Sequence, residues 1–429
     1  MNKKLYTITV IFISVISIFF IVFYDVSKDN EQYPLKKEDI INYQTIPQGL
    51  GVSIHPGLEK KDIKWIANAG FEWVRIDLPW EYIETKKGTY DLKNTGYDEL
   101  NKWLKDEGIK PYYILNYSNK LYEQNRSIVT KEGREAFGRY VNFVTKRFKN
   151  QGTIWEIWNE PNTETFWNPQ PNYEEYSLLV KDTVPIIKKN DKSGFVVAPA
   201  LAGINSQSLS WLEQVLKEGM LKNKIDAISV HPYRSGPPEE SIMDYQNLKN
   251  LIRHYTNRDI PVISGEWGYS MANTTEKPLS EMEQANYLVR MIMINAQQQV
   301  PISIWYDWKN DGVDPVNKEH NFGIMWNSGN PKISFLSIQV LTKQLKGYKF
   351  SKIINHQLNK QGDYMLEFVN NRNEKIIVFW TTGQSHNLNF VLKKGKGKII
   401  SMLGATREIS WKQQVPLNFS NSPNYLVID

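Results

Sequence analysis

Residues 154–162 read IWEIWNEPN, and this short segment gives the first indication of the fold. Its mostly apolar beginning is typical of a buried parallel strand, and its polar end with Pro161 stops that strand. Seven similar runs lie before and after it along the chain. The predicted strands are 49–54, 73–78, 110–115, 153–159, 194–199, 225–231, 261–266 and 301–307.

Longer stretches with helical periodicity separate these strands. The predicted helices include 60–69, 97–107, 131–148, 173–189, 241–255, 281–299 and 333–345. Eight strands that alternate with helices over about 300 residues predict an α/β fold of the (β/α)8 TIM barrel type. A doubly wound open sheet would usually carry a Gly-rich phosphate loop after its first strand, and the sequence has none.

The pattern changes after residue 345, where the apolar runs become short and β-rich. These runs are 364–369, 375–380, 388–392, 398–401 and 425–428. Turn residues separate them, which is typical of an antiparallel arrangement. We therefore predict a small C-terminal antiparallel β-sandwich domain at 346–429, packed on a barrel at 46–345.

The N-terminus predicts export from the cytoplasm. Lys3 and Lys4 precede an apolar stretch from Leu5 to Tyr24. About 20 apolar residues can span a bilayer as a helix, and positive residues before the span stay inside. The sequence thus predicts a transmembrane signal anchor at 1–24, with a cleaved signal peptide as the alternative. A tether at 25–45 would follow, with the globular part outside the cell membrane.

Composition excludes several classes of protein. The net charge is +6 with no dense basic stripe, so we expect no nucleic acid partner. The chain has no Cys, which removes disulfides, thiolate zinc sites and Cys nucleophiles. Its six His form no paired metal motif, so we expect neither a metal nor a cofactor. The 14 Trp and 23 Tyr often lie beside polar residues, which suits flat amphipathic ligands such as sugars.

Two predicted strands end in a glutamate. The fourth strand leads to Glu160, and the seventh ends at Glu266 in the segment VISGEWG. In a (β/α)8 barrel the active site forms at the C-terminal ends of the strands, so both side chains would face one cavity. Cleavage of a glycosidic bond needs such a pair, with one carboxyl protonated and the other ionised.

Three motifs resemble the clan A glycoside hydrolases. They are WNEPN at 158–162, HPY at 231–233 and GEWG at 265–268. The chain is most similar to family 39 and its bacterial exopolysaccharide-cleaving relatives. The resemblance implies a retaining enzyme with Glu160 as acid/base and Glu266 as nucleophile, which requires carboxyl groups about 5–5.5 Å apart.

The resemblance also implies roles for residues around the pair. Arg75 would reach the nucleophile and keep it ionised. Asn159 would bind the sugar 2-hydroxyl, and Tyr233 would donate to the nucleophile. His231 would line the same subsite. Glu156 is predicted to point into the barrel and to pair with a basic group.

Further candidates for substrate binding lie at other strand ends. Trp305 and Trp308 would stack on sugar faces, because an indole can cover the apolar face of a pyranose. Trp80, Asn116 and Tyr117 would extend the cleft, and His55 at the end of the first strand is a further candidate.

Several alternatives stay open at this stage. The loops 117–130 and 307–326 favour an endo-acting enzyme on an extracellular polysaccharide, but an exo-acting β-glycosidase such as a β-xylosidase fits the same residues. A transglycosylase would share the covalent intermediate. A non-catalytic carbohydrate-binding protein on the same scaffold is the alternative from another class. We expect a monomer.

Overall fold

The computed structural model describes residues 45–274, 277–355, 358 and 362–429. The predicted signal anchor at 1–24 lies outside these residues, as does all of the predicted tether except Thr45. Within the described ranges, no helix combines the length and apolar character needed to cross a membrane. The N-terminal membrane segment therefore stays a prediction.

The first sheet is built from parallel strands that follow one short strand, β1. The short strand β1 (Thr45–Ile46) belongs to another sheet. The strands of the first sheet are β2 (Leu50–Ser53), β3 (Trp73–Pro79), β4 (Lys110–Asn116), β5 (Ile154–Ile157), β6 (Phe195–Val197), β7 (Leu201–Ala202), β8 (Ile228–His231), β9 (Val262–Trp267) and β10 (Ser303–Trp305). Strands β2 to β10 pair in the order β6-β5-β4-β3-β2-β10-β9-β8-β7, and every pairing is parallel.

The two ends of this sheet meet in one stretch of chain. Only three residues separate β6 from β7, and Val197 forms a parallel bridge to Ala227 just before β8. The segments β6 and β7 therefore act as two halves of the fifth of eight barrel strands. The predicted TIM-barrel-like α/β fold is confirmed.

Helices connect the strands on the outside of the sheet. They are α1 (Lys60–Asn68), α2 (Trp80–Ile83), α3 (Tyr97–Asp106), α4 (Lys131–Arg147), α5 (Tyr173–Asn190), α6 (Ser206–Lys217), α7 (Ser241–Tyr255), α8 (Glu281–Gln297) and α9 (Ile333–Gln344). Local capping fixes their starts. Ser280 and Glu283 form a capping box at α8, and the Asn205 side chain accepts from the Ser208 N–H at 3.0 Å at α6.

Large apolar side chains from the strands fill one end of the barrel. This cluster is almost fully buried, and it consists of Trp73, Tyr112, Ile154, Phe195, Val197, Ala227, Ile263, Ile302 and Ile304. A filled interior is the norm for an eight-stranded barrel. The packing leaves the C-terminal ends of the strands as the open end.

The C-terminal part forms a second, antiparallel β structure. Its strands are β11 (Tyr348–Ile353), β12 (Asp363–Val369), β13 (Lys375–Thr381), β14 (His386–Val391), β15 (Gly395–Ser401), β16 (Thr406–Trp411), β17 (Gln414–Phe419) and β18 (Asn424–Ile428). Six of them join β1 in a seven-stranded sheet, and β14 pairs with β17. Thr45, which the sequence analysis assigned to the tether, pairs in this sheet with Lys349.

Alternate residues of β13 point to opposite faces of the seven-stranded sheet. Ile377 and Phe379 pack in a cluster with side chains of β14 and β17, whereas Val378 and Trp380 join the core that includes the barrel. This alternation is the two-residue period of a strand that is buried on both faces. The predicted antiparallel β structure is therefore present, and the domain boundaries stay predictions.

Candidate active site

The backbone turns sharply after β5, in the segment that carries Glu160. Trp158 and Glu160 have φ angles of 72° and 47°, in the left-handed region that side chains rarely adopt. Packing and hydrogen bonds hold this turn. The Trp158 indole N–H donates to the Phe166 carbonyl at 2.9 Å, and the Glu160 N–H donates to the Ala200 carbonyl at 3.0 Å. Strain that is fixed in this way is typical of functional sites.

His231 at the end of β8 orients the Glu160 carboxyl. Its Nδ1 lies 2.8 Å from Glu160 Oε1, and its Nε2 lies 3.3 Å from Nη2 of Arg75. A guanidinium can only donate, so Nε2 accepts and Nδ1 carries the proton. His231 is therefore a neutral donor to Glu160 Oε1, which leaves Oε2 free for a ligand.

Glu266 near the end of β9 is held by two donors. The Tyr233 hydroxyl donates to Oε1 at 2.8 Å, and Arg75 Nη1 donates to Oε2. Burial opposes the charge of Glu266, but the Arg75 guanidinium and the Tyr233 hydrogen bond lower its pKa below the ordinary value. Glu266 is thus ionised at neutral pH.

The two carboxyl groups face each other. One oxygen of Glu160, one of Glu266 and a ring nitrogen of His231 all lie within 4.8 Å of one another. The carboxyls open into a cavity of about 460 Å³. The residues that line this cavity are Ser53, Ile54, His55, Arg75, Ile76, Asp77, Ile114, Tyr117, Asn159, Glu160, Phe166, Tyr233, Glu266, Tyr306, Glu319 and Phe322.

The structure brings most of the predicted polar residues together. His55, Arg75, Asn159 and Tyr233 line the cavity, and Asn159 Oδ1 accepts from Arg75 Nη2 at 2.8 Å. His231 is fully buried and contacts the cavity residues Glu160 and Arg75 from behind. The catalytic and binding roles of these residues stay predictions.

Four predicted binding residues lie elsewhere. Trp80, Trp305 and Trp308 are at most 1% exposed, so no indole face is available to a sugar. Their predicted stacking role is corrected to packing. Asn116 is likewise buried and donates to Asp77 instead of extending the cleft.

Several residues that line the cavity were not predicted from the sequence. Tyr306 directly follows Trp305, and its ring rather than the indole faces the cavity. Its hydroxyl donates to Glu319 at 2.7 Å, which brings the long loop after β10 to the rim. Phe322 and Phe166 also come from loops, where side-chain direction has no periodic signal.

Two groups of side chains in the described part of the chain have the spacing of metal ligands. One is Glu160, His231 and Glu266, where Arg75 already supplies positive charge. The other is His55, Asp307 and Asp311, whose ligand atoms also lie within 4.8 Å of one another. Burial and the charge of Asp311 raise the pKa of Asp307 well above its ordinary value, which favours the neutral acid over a charged ligand.

Known proteins share this architecture. A family 39 glycoside hydrolase from the gut symbiont Bacteroides cellulosilyticus WH2 superimposes with a TM-score of 0.78 and 26% identity, over 90% of this chain and 82% of that one. A monomeric beta-xylosidase from Caulobacter crescentus CB15 gives a TM-score of 0.65 at 16% identity, over 90% and 97%. The latter similarity shows the fold alone.

Sequence comparisons identify the family. A beta-xylosidase from Geobacillus stearothermophilus is 24% identical over 173 residues, which cover 35% of this chain and 33% of that protein. The chain thus matches about one third of the length of this curated relative. Residues 38–312, well over half of the chain, match the family model for cellulase (glycosyl hydrolase family 5). The predicted resemblance to clan A is confirmed, and the chain belongs to this glycoside hydrolase family.

Proposed function

We propose that the protein is a retaining glycoside hydrolase that cleaves β-linked sugars by double displacement. The observation that carries the proposal is the placement of Glu160 and Glu266, whose oxygens lie within 4.8 Å across one open cavity. Retaining enzymes keep their carboxyl groups about 5–5.5 Å apart, whereas inverting enzymes leave about 6.5–9.5 Å for a water molecule. The observed closeness favours attack by a carboxylate.

The charges around Glu160 and Glu266 support different protonation states for the two carboxyl groups. Glu266 is ionised beside Arg75 and can attack the anomeric carbon. Among the described residues, Glu160 has no Lys or Arg at hydrogen-bond distance, and its side chain accepts from neutral His231. Oε2 of Glu160 is therefore the atom that would give its proton to the leaving oxygen and later take one from water. Asn159, fixed by Arg75, would bind the 2-hydroxyl next to the reacting carbon.

The cavity favours an uncharged sugar. Its lining includes four carboxyl side chains, Asp77, Glu160, Glu266 and Glu319, against two basic ones, His55 and Arg75. Arg75 is already paired with carboxylates. A uronic acid would meet repulsion and leave an unpaired charge in a partly buried site, which is costly. We therefore propose neutral hexose or pentose polymers as the substrate class.

We propose endo action on a polysaccharide, because both long loops predicted from the sequence contribute residues to the walls of the cavity. Tyr117 comes from the first loop, and Glu319 and Phe322 come from the second. An exo-acting β-glycosidase such as a β-xylosidase is the second candidate, since the relatives that match in sequence and fold include beta-xylosidases. Product length separates the two.

The test uses 4-nitrophenyl β-glycosides and neutral β-linked polysaccharides with the wild type and two variants. We expect Glu266→Gln to abolish hydrolysis of all substrates. Glu160→Gln should spare kcat/KM for an aryl glycoside with a good leaving group far more than for a polysaccharide, because only the polysaccharide needs the acid in the first step. Turnover of both substrates should fall, because the second step still needs Glu160 as the base for water. A 2-deoxy-2-fluoro glycoside of the active sugar should label Glu266, as located by mass spectrometry of peptides.

Other results would point elsewhere. Hydrolysis that survives Glu266→Gln unchanged would exclude the mechanism. Glycan binding without cleavage by the wild type would favour the non-catalytic carbohydrate-binding alternative. Products longer than the substrate would indicate transglycosylation, because an acceptor sugar then replaces water.

We also propose that the enzyme acts outside the cell as a monomer, held by residues 1–24. The charged Lys3 and Lys4 before an apolar stretch support export. Protease treatment of intact cells should remove the catalytic part if it faces outward. Membrane fractionation of the full chain distinguishes an anchored form from a released one.

A further inference from the structure

A buried carboxylate lies directly beneath the proposed nucleophile. Glu156 on β5 has no exposed surface and shares Arg75 with Glu266. Arg75 donates to Glu156 Oε2 from Nε at 3.0 Å and from Nη2 at 2.7 Å. Its remaining terminal nitrogen, Nη1, donates to Glu266. One guanidinium therefore holds two carboxylates, and only one of them faces the cavity.

The second oxygen of Glu156 has its own donors. The Tyr112 hydroxyl donates to Oε1 at 2.6 Å, and the Ser229 hydroxyl donates to the same oxygen at 2.5 Å. Every strong acceptor direction of this carboxylate is thus taken by a fixed group. A buried charge is tolerated when it is paired and hydrogen-bonded in this way.

The backbone next to the nucleophile makes room for this network. A Cβ at Gly265 would overlap the Ser229 hydroxyl, and it would lie 2.8 Å from the Tyr112 hydroxyl and 3.2 Å from Glu156 Oε1. The residue just before Glu266 must therefore be small. Four strands, β3, β4, β5 and β8, contribute side chains to the layer under this glycine.

We propose that Glu156 is a positioning residue that fixes the orientation of Arg75 and divides its positive charge between two carboxylates, so that Glu266 stays ionised but remains nucleophilic. This inference rests on the proposed function. Full engagement of the guanidinium by Glu266 alone would stabilise the nucleophile in the ground state. Interactions that are stronger in the ground state than in the transition state slow the reaction.

Several charged and titratable groups surround Arg75 and influence how Glu266 ionises. Those that face it are Glu156, Glu266, Tyr112 and His231, while Asp77, Tyr117 and Tyr233 act through Glu266 or at longer range. Burial opposes the Arg75 charge, but Glu156 and Glu266 raise its pKa well above the ordinary value, so Arg75 stays a cation throughout. The shared cation thus links the two carboxylates.

The central test is Glu156→Gln. Its amide oxygen can still accept from Arg75, while its NH₂ group donates to the Tyr112 and Ser229 hydroxyls, so the substitution removes charge and keeps shape. Arg75 then belongs to Glu266 alone. We expect the acidic limb of kcat/KM to move to lower pH by about half a unit or more, and kcat at neutral pH to fall by roughly tenfold with KM little changed.

Tyr112→Phe should shift the acidic limb of kcat/KM in the direction opposite to that of Glu156→Gln. Loss of this donor concentrates negative charge on Glu156, which opposes ionisation of Glu266, so the acidic limb should move to higher pH. This variant also keeps the test informative if Glu156→Gln fails to fold. Tyr140→Phe is the matched control, because that tyrosine is equally buried and donates to the Leu78 backbone instead. Its acidic limb should not move.

The measured pH profiles distinguish a positioning role of Glu156 from a structural one. Opposite shifts in the two variants support the positioning role. Lower activity in both variants with an unmoved acidic limb would show that Glu156 is merely structural and would overturn the inference. Activity that survives Glu266→Gln, or a full panel without cleavage by the wild type, would overturn the proposed function and this inference with it.

Discussion

At the scale of single residues, the ionisation of Glu266 depends on a short list of contacts. Burial alone would favour the neutral acid, and the charge of Arg75 reverses this preference. Tyr233 adds a hydrogen bond to Oε1 at 2.8 Å. Burial and the nearby Glu266 raise the pKa of Tyr233 well above its ordinary value, so this hydroxyl remains a donor at any working pH.

Tyr233→Phe should therefore shift the pH profile. The folded-state pKa of Glu266 lies below its ordinary value, so the carboxylate form is lost only as the pH falls through that lowered pKa. Removing the donor raises this pKa. A hydrogen bond to a charged group is worth about 1.5–3 kcal/mol, which corresponds to roughly one pH unit or more. We expect the acidic limb of kcat/KM to move upward by about one unit.

Tyr306→Phe provides the control for this measurement. It removes a hydroxyl at the same cavity, but that hydroxyl donates to Glu319 and not to Glu266. Its acidic limb should match the wild type. Equal shifts in both variants would mean that general polarity, rather than the Tyr233 hydrogen bond, sets the ionisation.

At the scale of elements, the barrel closes where β2 meets β10. The Ser303 N–H donates to the Gly49 carbonyl at 2.8 Å, just before β2 begins. A Cβ at Gly49 would overlap the carbonyl oxygen of Pro301, which is backbone and cannot turn aside. The closure therefore needs glycine at this position for close approach rather than for an unusual φ angle.

Gly49→Ala should destabilise the protein by about 1–3 kcal/mol, the usual range for overpacking, because the two strands must separate. Gly138→Ala in α4 is the matched control. Its Cβ would meet only the tip of the Ile186 side chain, at 3.0 Å, and alanine favours a helix. Chemical unfolding measures both variants, and a Gly49→Ala protein as stable as Gly138→Ala would contradict the strand-contact argument.

Periodic patterns explain which elements could be predicted. The buried strands β3 and β4 and the helix α7 were predicted to within a residue, because the two strands are short, mostly apolar runs and the helix repeats its apolar residues with a clear period. The range of the helix α6 was not given, although the alternation of strands and helices implied a helix there. The strand β11 was not predicted either, because all its residues are half-buried or exposed and its apolar alternation is short.

The residues of the candidate site also differ in whether the sequence could predict them. Glu266 lies near the end of β9 and Glu160 shortly after β5, where a barrel places functional side chains, so strand assignment pointed to both. Tyr306 and Trp305 are adjacent, and sequence could not decide which ring faces the cavity. That choice depends on the path of the chain after β10, which tertiary packing sets.

At the scale of the whole molecule, a buried polar contact joins the barrel to the C-terminal sheet. Glu239 lies just before α7, and its carboxylate accepts from Arg290 of α8 at 2.7 and 2.5 Å. The Trp380 indole N–H of β13 donates to the same carboxylate at 2.7 Å. All three side chains are at most 8% exposed, so water cannot replace a lost partner.

Loss of the Glu239 charge should therefore weaken the whole structure. In Glu239→Gln, Arg290 remains buried without a counter-charge, and breaking a buried pair in this way costs about 3–5 kcal/mol. Trp380 keeps an amide oxygen as acceptor, so the variant isolates the charge. We expect a clear fall in the free energy of unfolding. Glu240→Gln, at the exposed neighbouring position, should be neutral within about 0.5 kcal/mol.

The way in which Glu239→Gln unfolds carries further information. If the contact couples the two parts of the molecule, the near-UV signal of the tryptophans and the catalytic activity should be lost in a single transition. Separate transitions, with activity retained after the C-terminal sheet has unfolded, would show that the barrel does not depend on this contact. The proposed active site lies at the C-terminal ends of the barrel strands, and the described residues that line its cavity include none from β11 to β18. The sheet therefore acts on catalysis only through the stability of the barrel, and kcat of the folded variant should equal that of the wild type.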